Sequence, residues 1–241
     1  MQDKTEEINF FDNFVQSNAY DVFDERGYNR IILELNKFID TKKKLKVLDM
    51  GCGTGAFTSK LMNYNLDISG VDISPESIKL AKKLYPNISF TIGDIENLYS
   101  FDDELFDIIT LSGVLHHFDD FTNVVSECYR LLQKDGILFA YDPNRNNPIM
   151  WLYRCKNSPF YSSKGVTPNE EPISKDKIYE IFNNFAFIQL NIFSISGVTY
   201  KYIESKFARL PLPFYNLIEI LFDLPFFRKK YGAFIITIAK K

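Results

Sequence analysis

Cysteine, histidine and tryptophan are all scarce in this chain of 241 residues, which contains only three, two and one of them. The cysteines (Cys52, Cys128 and Cys155) form no Cys-x-x-Cys pair and are odd in number, which argues against a disulfide framework and favours a reducing compartment. The polar start MQDKTEEINF lacks the basic and apolar regions of a secretory signal. We therefore expect a cytoplasmic protein.

Positive charge is not in excess either, since 28 basic side chains face 31 acidic ones and the formal net charge is −3. A protein that grips nucleic acid through its phosphates is expected to be basic, so we expect no nucleic-acid partner. No uncharged apolar run reaches the roughly 18 residues that span a bilayer. Apolar residues nevertheless make up 46% of the chain, which is enough to build one enlarged domain over residues 1–241.

Short apolar runs alternate with helical stretches after a helical region at residues 1–45. In that first region Ile31, Ile32, Leu35, Phe38 and Ile39 recur at the spacing of one buried helix face. The alternation that follows is typical of βαβ units and predicts a parallel sheet covered by helices on both faces. The predicted strands are 46–50, 67–71, 89–92, 106–112, 136–141, 187–195 and 233–239, and the predicted helices are 57–64, 75–85 and 121–133.

A glycine-rich turn, VLDMGCGTG at 47–55, joins the first predicted strand to a helix. Glycines allow a positive φ and let a ligand approach the bare backbone at the start of a helix. Because Gly51, Gly53 and Ala56 satisfy a relaxed dinucleotide fingerprint, a nicotinamide- or flavin-binding enzyme remains an alternative. Asp72 ends the next strand, where a carboxylate can accept the ribose hydroxyls of an adenosine-containing ligand. No Gly-Lys-Ser/Thr sequence is present, which excludes a P-loop.

Five stretches together resemble the class I S-adenosylmethionine-dependent methyltransferases, of the small-molecule type that includes enzymes of ubiquinone and menaquinone biosynthesis. They are VLDMGCGTG at 47–55, VDIS at 71–74, GDIENL at 93–98, FDIITLSGVLHHFDD at 106–120 and RLLQKDGILFAYDPNR at 130–145. The resemblance covers a core at 46–145. It implies a Rossmann-like, doubly wound α/β sheet of seven mostly parallel strands with an antiparallel last strand. It also implies a cofactor-covering helical arm at 1–45 and inserted lid segments at 146–173 and 197–232.

The resemblance further implies how S-adenosylmethionine would be held. Asp49 and the backbone of Gly51, Gly53 and Gly55 would hold the methionine part, and Asp72 would accept the ribose hydroxyls. Asp94 would bind the adenine amino group, with Ile73 and Ile95 on either side of the ring. Ser112 and Gly113 would lie beneath the sulfonium, with Tyr20 of the arm closing over it. Taken singly, Asp94 could equally be a helix N-cap.

The only two histidines, His116 and His117, follow the fourth predicted strand. Methyl transfer needs an aligned nucleophile and, for a hydroxyl or a protonated amine, a base that removes the proton. Imidazole has a pKa suited to that task near neutrality. We predict that one of the pair, with His117 preferred, acts as general base or orients the acceptor, the alternative being a structural role. Adjacent side chains rarely converge on one ion, so we expect no metal.

Two insertions follow the carboxyl ends of strands, where ligands of open α/β sheets bind. In the first, at 146–173, we predict that Trp151, Arg154 and Tyr161 contact the acceptor, together with Arg145 just before it. An exposed arginine that is merely solvated is the alternative for both arginines.

The second insertion, at 197–232, contains a helical apolar stripe with Glu219 and Asp223 on the other face. The stripe consists of Phe214, Leu217, Ile218, Leu221 and Phe222, and the basic run RKK at 228–230 follows it. Ordinary packing of the stripe on the sheet is one interpretation. A lid over an apolar acceptor, a dimer surface and a helix at a membrane surface are the others, so that residues 210–230 are a candidate membrane or dimer contact.

The predicted function is S-adenosylmethionine-dependent methylation of a small molecule, with a lipid-linked, quinone-like or saccharide acceptor. An NAD(P)-binding oxidoreductase and a catalytically silent S-adenosylmethionine-binding protein stay open as alternatives. The aromatic residues favour an apolar or ring-bearing acceptor. Of the 38 rings, 26 fall in residues 1–30 and 141–241, and only 12 fall in the 31–140 segment that holds the cofactor motifs.

Overall fold

A seven-stranded sheet forms the centre of the computed structural model, which describes residues 4–16, 21–40, 42–163, 166–167, 169–202, 211–221 and 223–241. The strands are β1 (Leu45–Met50), β2 (Leu66–Asp72), β3 (Ser89–Ile92), β4 (Phe106–Ser112), β5 (Leu132–Pro143), β6 (Gln189–Ile195) and β7 (Phe234–Lys240). Their order is β3-β2-β1-β4-β5-β7-β6. Strands β1 to β5 pair in parallel, and β7 runs antiparallel to both β5 and β6. The predicted mostly parallel sheet with an antiparallel last strand is confirmed.

Helices cover both faces of this sheet. They are α1 (Lys4–Gln16), α2 (Glu25–Leu35), α3 (Ala56–Lys60), α4 (Pro75–Leu84), α5 (Thr122–Leu131), α6 (Pro148–Arg154), α7 (Lys175–Phe182), α8 (Leu212–Leu221) and α9 (Pro225–Tyr231). The predicted helix at 121–133 is two residues too long at its end, because Leu132 leaves α5 to pair with Phe106 as the first residue of β5. Among the described residues, no helix has the length and apolar character needed to cross a membrane.

Alternating side chains of the central strands build two hydrophobic cores, one on each face. On the first face, Ile109 of β4 packs with Val124 and Cys128 of α5, and all three are fully buried. On the second face, Phe139 of β5 packs with Ile31 of α2. This period-two alternation between helix layers is what a doubly wound sheet requires.

The parallel strands β1 to β5 all end at the same edge of the sheet. The chain order reverses between β1 and β4, because β1 leads outward to β2 and β3 while β4 leads outward to β5. Open α/β sheets bind their ligands in the crevice at such a reversal. The fold therefore brings the residues that follow β1, β2, β3 and β4 to one place.

Candidate active site

A cavity of about 320 Å³ lies at this edge, roofed by the arm helix α1. Many of the predicted site residues line it. They are Gly51, Gly53, Asp72, Ile73, Asp94, Ile95, Ser112, Gly113, His116, His117 and Arg154. The structure thus gathers the residues that follow four strands around one space, together with one arginine of the first insertion.

The glycine turn after β1 depends on left-handed backbone at Gly51 and Gly53, whose φ angles are +74° and +51°. A Cβ on Gly51 would lie 2.6 Å from the Val114 side chain, whereas a Cβ on Gly53 would meet nothing within 4 Å. The Gly53 backbone is therefore open to a ligand, while Gly51 is needed for close packing. Gly55, also predicted to contact the cofactor, does not line the cavity, and its N–H donates to the Cys52 carbonyl as α3 begins.

Asp49 is buried and is not part of the cavity wall, so its predicted contact with the methionine end stays a prediction. It is fully buried, and its carboxylate accepts hydrogen bonds from the hydroxyls of Thr58, Thr110 and Ser112 at 2.6, 2.7 and 3.0 Å. Burial raises the pKa of Asp49 to about 6, against these hydrogen bonds. Asp49 therefore holds the ends of β4 and α3 in place below the glycine turn.

Asp72 and Asp94 line the cavity as predicted, at the ends of neighbouring strands. The Asp72 carboxylate accepts from the N–H groups of Gly53 (2.8 Å) and Ser74 (2.9 Å), and burial raises its pKa. Each of its oxygens keeps a lone pair for a further donor. The Asp94 carboxylate accepts from the Glu96 N–H at 3.0 Å and from the Lys4 ammonium group.

The arm helix α1 is fastened over the cavity by polar groups at several points. Lys4 pairs with Asp94, and Asp12 accepts from the Ser74 hydroxyl (2.5 Å) and from the Glu76 N–H (3.2 Å) at the start of α4. The side chains of Phe11, Phe14 and Val15 form part of the cavity wall. Helix α1 thus covers the cavity, while Tyr20, which was predicted to close over the cofactor, lies outside the described residues.

His116 sits between two carboxylates. Its Nδ1 lies 2.9 Å from Asp142 Oδ1, which also accepts the His116 backbone N–H at 3.1 Å, and its Nε2 lies 3.7 Å from Glu170 Oε1. Burial alone would lower the pKa of His116, but the hydrogen bonds to Asp142 and Glu170 raise it to about 9. His116 is therefore a cation at neutral pH.

His117 has the opposite electrostatic setting, although its ring centre is only 4.3 Å from that of His116. Burial and the neighbouring positive charge lower the pKa of His117 to about 3, so its imidazole is neutral. Its Nδ1 lies 3.3 Å from the Thr167 hydroxyl and 3.8 Å from Glu7 Oε2 of the arm. The pair thus supplies one fixed cation and one uncharged proton acceptor in the same wall.

Glu170 completes this cluster and was not predicted as a site residue, nor were Asp142 and Glu7. Arg154 donates to Glu170 at 2.7 Å, and its charge lowers the pKa of that carboxyl against the effect of burial. Ligand atoms of His116, His117 and Glu170 lie within 4.8 Å of one another, so these residues could hold a metal ion. However, Arg154 and the protonated His116 already neutralise Glu170, so a metal ion would have to displace these charges. The geometry favours an ion-pair network.

The other predicted acceptor contacts lie away from the cavity wall. Arg145 pairs with Glu171 at 3.2 Å, and neither Trp151, which is 38% exposed, nor Tyr161 lines the cavity. Arg154 alone of that set reaches it. Aromatic composition and charge placed this insertion near the site but did not reveal which side chains turn inward.

Nine aromatic rings line the cavity among the described residues. Seven of them come from the segments 1–30 and 141–241, namely Phe11, Phe14, Phe23, Tyr28, Tyr141, Tyr200 and Phe234. Phe23 is central to this group, with ring centres 4.9 Å from Tyr200 and 5.4 Å from Phe234. Seven of the 26 aromatic residues in these two segments therefore contribute to the wall of the cavity.

Comparison with known proteins agrees with this geometry. A family model described as a methyltransferase domain matches residues 48–140. A ubiquinone biosynthesis O-methyltransferase from Coxiella burnetii is 36% identical over 181 residues, which cover 71% of this chain and 75% of that protein. The chain belongs to the class I S-adenosylmethionine-dependent methyltransferases. This membership argues against the nicotinamide-dependent oxidoreductase.

Other methyltransferases are similar over different extents. A demethylmenaquinone methyltransferase from Chlorobaculum tepidum is 30% identical over 132 residues, which cover 53% of this chain and 54% of the relative. The match thus spans only about half of that relative's length. An S-adenosylmethionine-dependent methyltransferase from Archaeoglobus fulgidus shares the fold with a TM-score of 0.62 at 22% identity, covering 89% of this chain and 92% of that one.

The cavity of this methyltransferase fits S-adenosylmethionine. The Gly53 backbone faces a space that a Cβ would fill, and Asp72 presents lone pairs suited to ribose hydroxyls. Ile73 and Ile95 add apolar wall beside Asp94, and Ser112 and Gly113 line the cavity on the β4 side. These residues are the ones that would hold the cofactor.

Proposed function

We propose that this methyltransferase transfers a methyl group from S-adenosylmethionine to a hydroxyl group of a ring-bearing small molecule. The observation that carries the proposal is the placement of His117 beside the cationic His116 in the wall of a ring-lined cavity. The Coxiella relative is an O-methyltransferase of ubiquinone biosynthesis, and the Chlorobaculum relative is a demethylmenaquinone methyltransferase. Both names support a quinone-like acceptor, which in its lipid-linked form would carry an apolar tail.

The work of the chain is to place the acceptor and to receive its proton. When bound, S-adenosylmethionine supplies an electrophilic methyl group on a sulfonium centre. His117 is the histidine that can take the proton, because it is neutral whereas His116 already carries one.

Glu7 connects this proton transfer to the position of the arm. Its carboxylate lies 3.8 Å from His117 Nδ1 when α1 covers the cavity, so it stabilises the imidazolium that forms. Phe11 packs on the same histidine, with the ring centres 5.5 Å apart. The arm therefore both shields the reacting groups from water and supplies the counter-charge for the base.

Turnover measurements on His117→Gln test the proposal, with a panel of hydroxylated benzoates and naphthols as acceptors. Loss of a general base is expected to lower kcat by roughly 10²- to 10⁴-fold. The affinity for S-adenosylhomocysteine, measured by calorimetry, should stay within about twofold, because Gln keeps a polar group at the same place. Arg145→Gln is the matched control, since Arg145 pairs with Glu171 outside the cavity. A near-normal rate in His117→Gln would remove His117 from the chemistry.

We also propose a cytoplasmic location. Cys52, Cys128 and Cys155 are buried and free, which suits a compartment that keeps thiols reduced. Localisation of a tagged full-length chain by cell fractionation is the test, and recovery in a secreted fraction would contradict it.

A further inference from the structure

Helix α8 presents apolar side chains to solvent. Phe214, Leu217 and Leu221 are 65%, 49% and 61% exposed. Their spacing of three and four residues places them in one row along the helix. Three residues of the predicted stripe therefore face solvent and do not pack on the sheet, whereas Ile218 is half-buried. Phe222 lies outside the described residues.

The polar side chains of α8 face the protein instead. Asn216 donates to the Tyr200 carbonyl at 2.8 Å and accepts the Tyr200 N–H at 3.0 Å. Glu219 is 3% exposed and accepts the Gly197 N–H at 3.1 Å. A helix on the surface of a globular protein normally buries its apolar face and exposes its polar one. Because these hydrogen bonds and the buried side chains of Leu212 and Tyr215 hold α8 against the protein, its outer apolar row is a fixed feature of the surface.

The next helix along the chain, α9, also carries exposed apolar and then basic residues. Leu224, which precedes α9, is 56% exposed, and Lys229 and Lys230 are exposed in the last turn beside Arg228. The positive charge is local, since the whole chain has a net charge of −3. An apolar row that ends in a basic cluster matches the boundary between acyl chains and anionic headgroups.

This surface lies directly behind the candidate active site. The ring of Tyr215, on the buried side of α8, is 5.7 Å from the ring of Tyr200, which lines the cavity. One layer of aromatic residues thus separates the exposed helix from the acceptor space. Anything that docks on the exposed face of α8 would therefore lie close to the acceptor cavity.

We propose that α8 and α9 form a docking surface for a bilayer containing anionic lipids, made by Phe214, Leu217, Leu221, Leu224, Lys229 and Lys230. A second copy of the chain fits this surface less well, because a like-on-like contact offers the exposed Lys229 and Lys230 no acidic partner. The nearby carboxylate of Asp223 offers no compensation, since it lies 3.5 Å from Arg228 and 3.8 Å from Arg30 of its own chain. The proposal does not depend on the acceptor or on catalysis.

Vesicle binding by the full chain tests this proposal. Trp151 is the only tryptophan, so energy transfer from it to dansyl-labelled lipid reports binding without an added label. We expect wild-type protein to bind phosphatidylcholine vesicles that contain 30% phosphatidylglycerol and to bind pure phosphatidylcholine far more weakly. Phe214→Asp with Leu221→Asp should weaken binding by roughly 100-fold or more, because two apolar anchors are lost. Lys229→Gln with Lys230→Gln should weaken binding to the anionic vesicles by roughly 30-fold.

Ile188→Asp is the matched control, since Ile188 is 68% exposed just before β6, at the opposite end of that strand from Ser194, whose hydroxyl contacts α9. It should bind as wild type does. Circular dichroism checks that each variant keeps the fold. The proposal is overturned if wild-type protein does not bind anionic vesicles, or if the double aspartate variant binds equally well. A dimer in light scattering that the aspartate variant dissociates, without vesicle binding by wild type, would assign the surface to a second copy.

Discussion

The two sides of the cavity are built in different ways. On the cofactor side, the contributing residues lie at the end of a strand or just after it, as Asp72 ends β2 and Asp94 follows β3. On the acceptor side, groups from segments far apart in the chain meet, because Glu170 lies beside His116 and Glu7 lies beside His117. Backbone geometry thus shapes the cofactor side, whereas the linked protonation states of charged side chains shape the acceptor side. The two should respond differently to pH and to small substitutions.

The largest expected effect concerns the buried His116 cation. The pKa of His116 in the folded protein, about 9, lies above the roughly 6.5 of an unfolded histidine, so its stabilising contribution is complete below about pH 6.5 and is lost as the pH rises through 9. Relative to His116→Gln, the wild-type free energy of unfolding should fall by about 3 kcal/mol across this range. Urea unfolding at pH 6, 7, 8 and 9 measures it.

His117→Gln provides the control for that experiment. The pKa of His117 is lowered in the folded protein, so this residue is neutral in the folded state throughout the same range. The difference between wild type and His117→Gln should therefore change little above pH 6.5. If the free energies of unfolding of wild type and His116→Gln change with pH in the same way, the acceptor side is not held by a buried cation.

A smaller effect is expected on the cofactor side, from Gly53→Ala. A left-handed φ of +51° costs a residue with a Cβ about 1 kcal/mol, but no atom lies in the way of the new methyl group. That methyl group would project into the cofactor space, so the affinity for S-adenosylhomocysteine should fall by about tenfold or more, as measured by calorimetry.

Gly51→Ala is the contrasting variant. Its Cβ would meet Val114 at 2.6 Å, so it should lose more stability in urea unfolding than Gly53→Ala does. Unchanged cofactor affinity in Gly53→Ala would contradict the view that bare backbone defines the cofactor side.

The smallest effect is expected where the arm meets the cofactor side, at the pair of Lys4 and Asp94. Both side chains are partly exposed, at 37% and 32%, and such ion pairs contribute about 1 kcal/mol or less. Lys4→Gln releases an oxygen of Asp94 for the adenine amino group. Calorimetry should therefore show an affinity for S-adenosylhomocysteine that rises by no more than about threefold. A loss of affinity would instead make Lys4 part of the cofactor site.

The cofactor side could be predicted from the sequence because its residues are local to the strands. The alternation of apolar runs predicts where β2 and β4 end, and Asp72 and Ser112 follow from those ends. Asp49 shows the limit of this reasoning. It is one residue before the end of β1 and points into the sheet, where three hydroxyls bind it, while its neighbours lead to the cavity.

The acceptor side could not be predicted in the same way, because its contacts join distant parts of the chain. Nothing in the spacing of Glu170 relates it to His116, 54 positions earlier in the sequence. The insertions show a second limit. A periodic apolar row predicts a helix at residues 212–221 but does not state which face packs inward, and there the hydrogen bonds of Asn216 and Glu219 decide the orientation.

The antiparallel pairing of β6 and β7 has a consequence for how such a protein can change over generations. Ile195 at the end of β6 pairs with Phe234 at the start of β7, so the intervening segment leaves the sheet and returns to it at adjacent points. Two strands paired in this way need only a short turn between them. The helices α8 and α9 are thus inserted between two strands that are already paired. Changes to the outer face of this insertion leave the register of the strands that hold the cofactor unaltered, provided that Tyr200 keeps its place in the cavity wall.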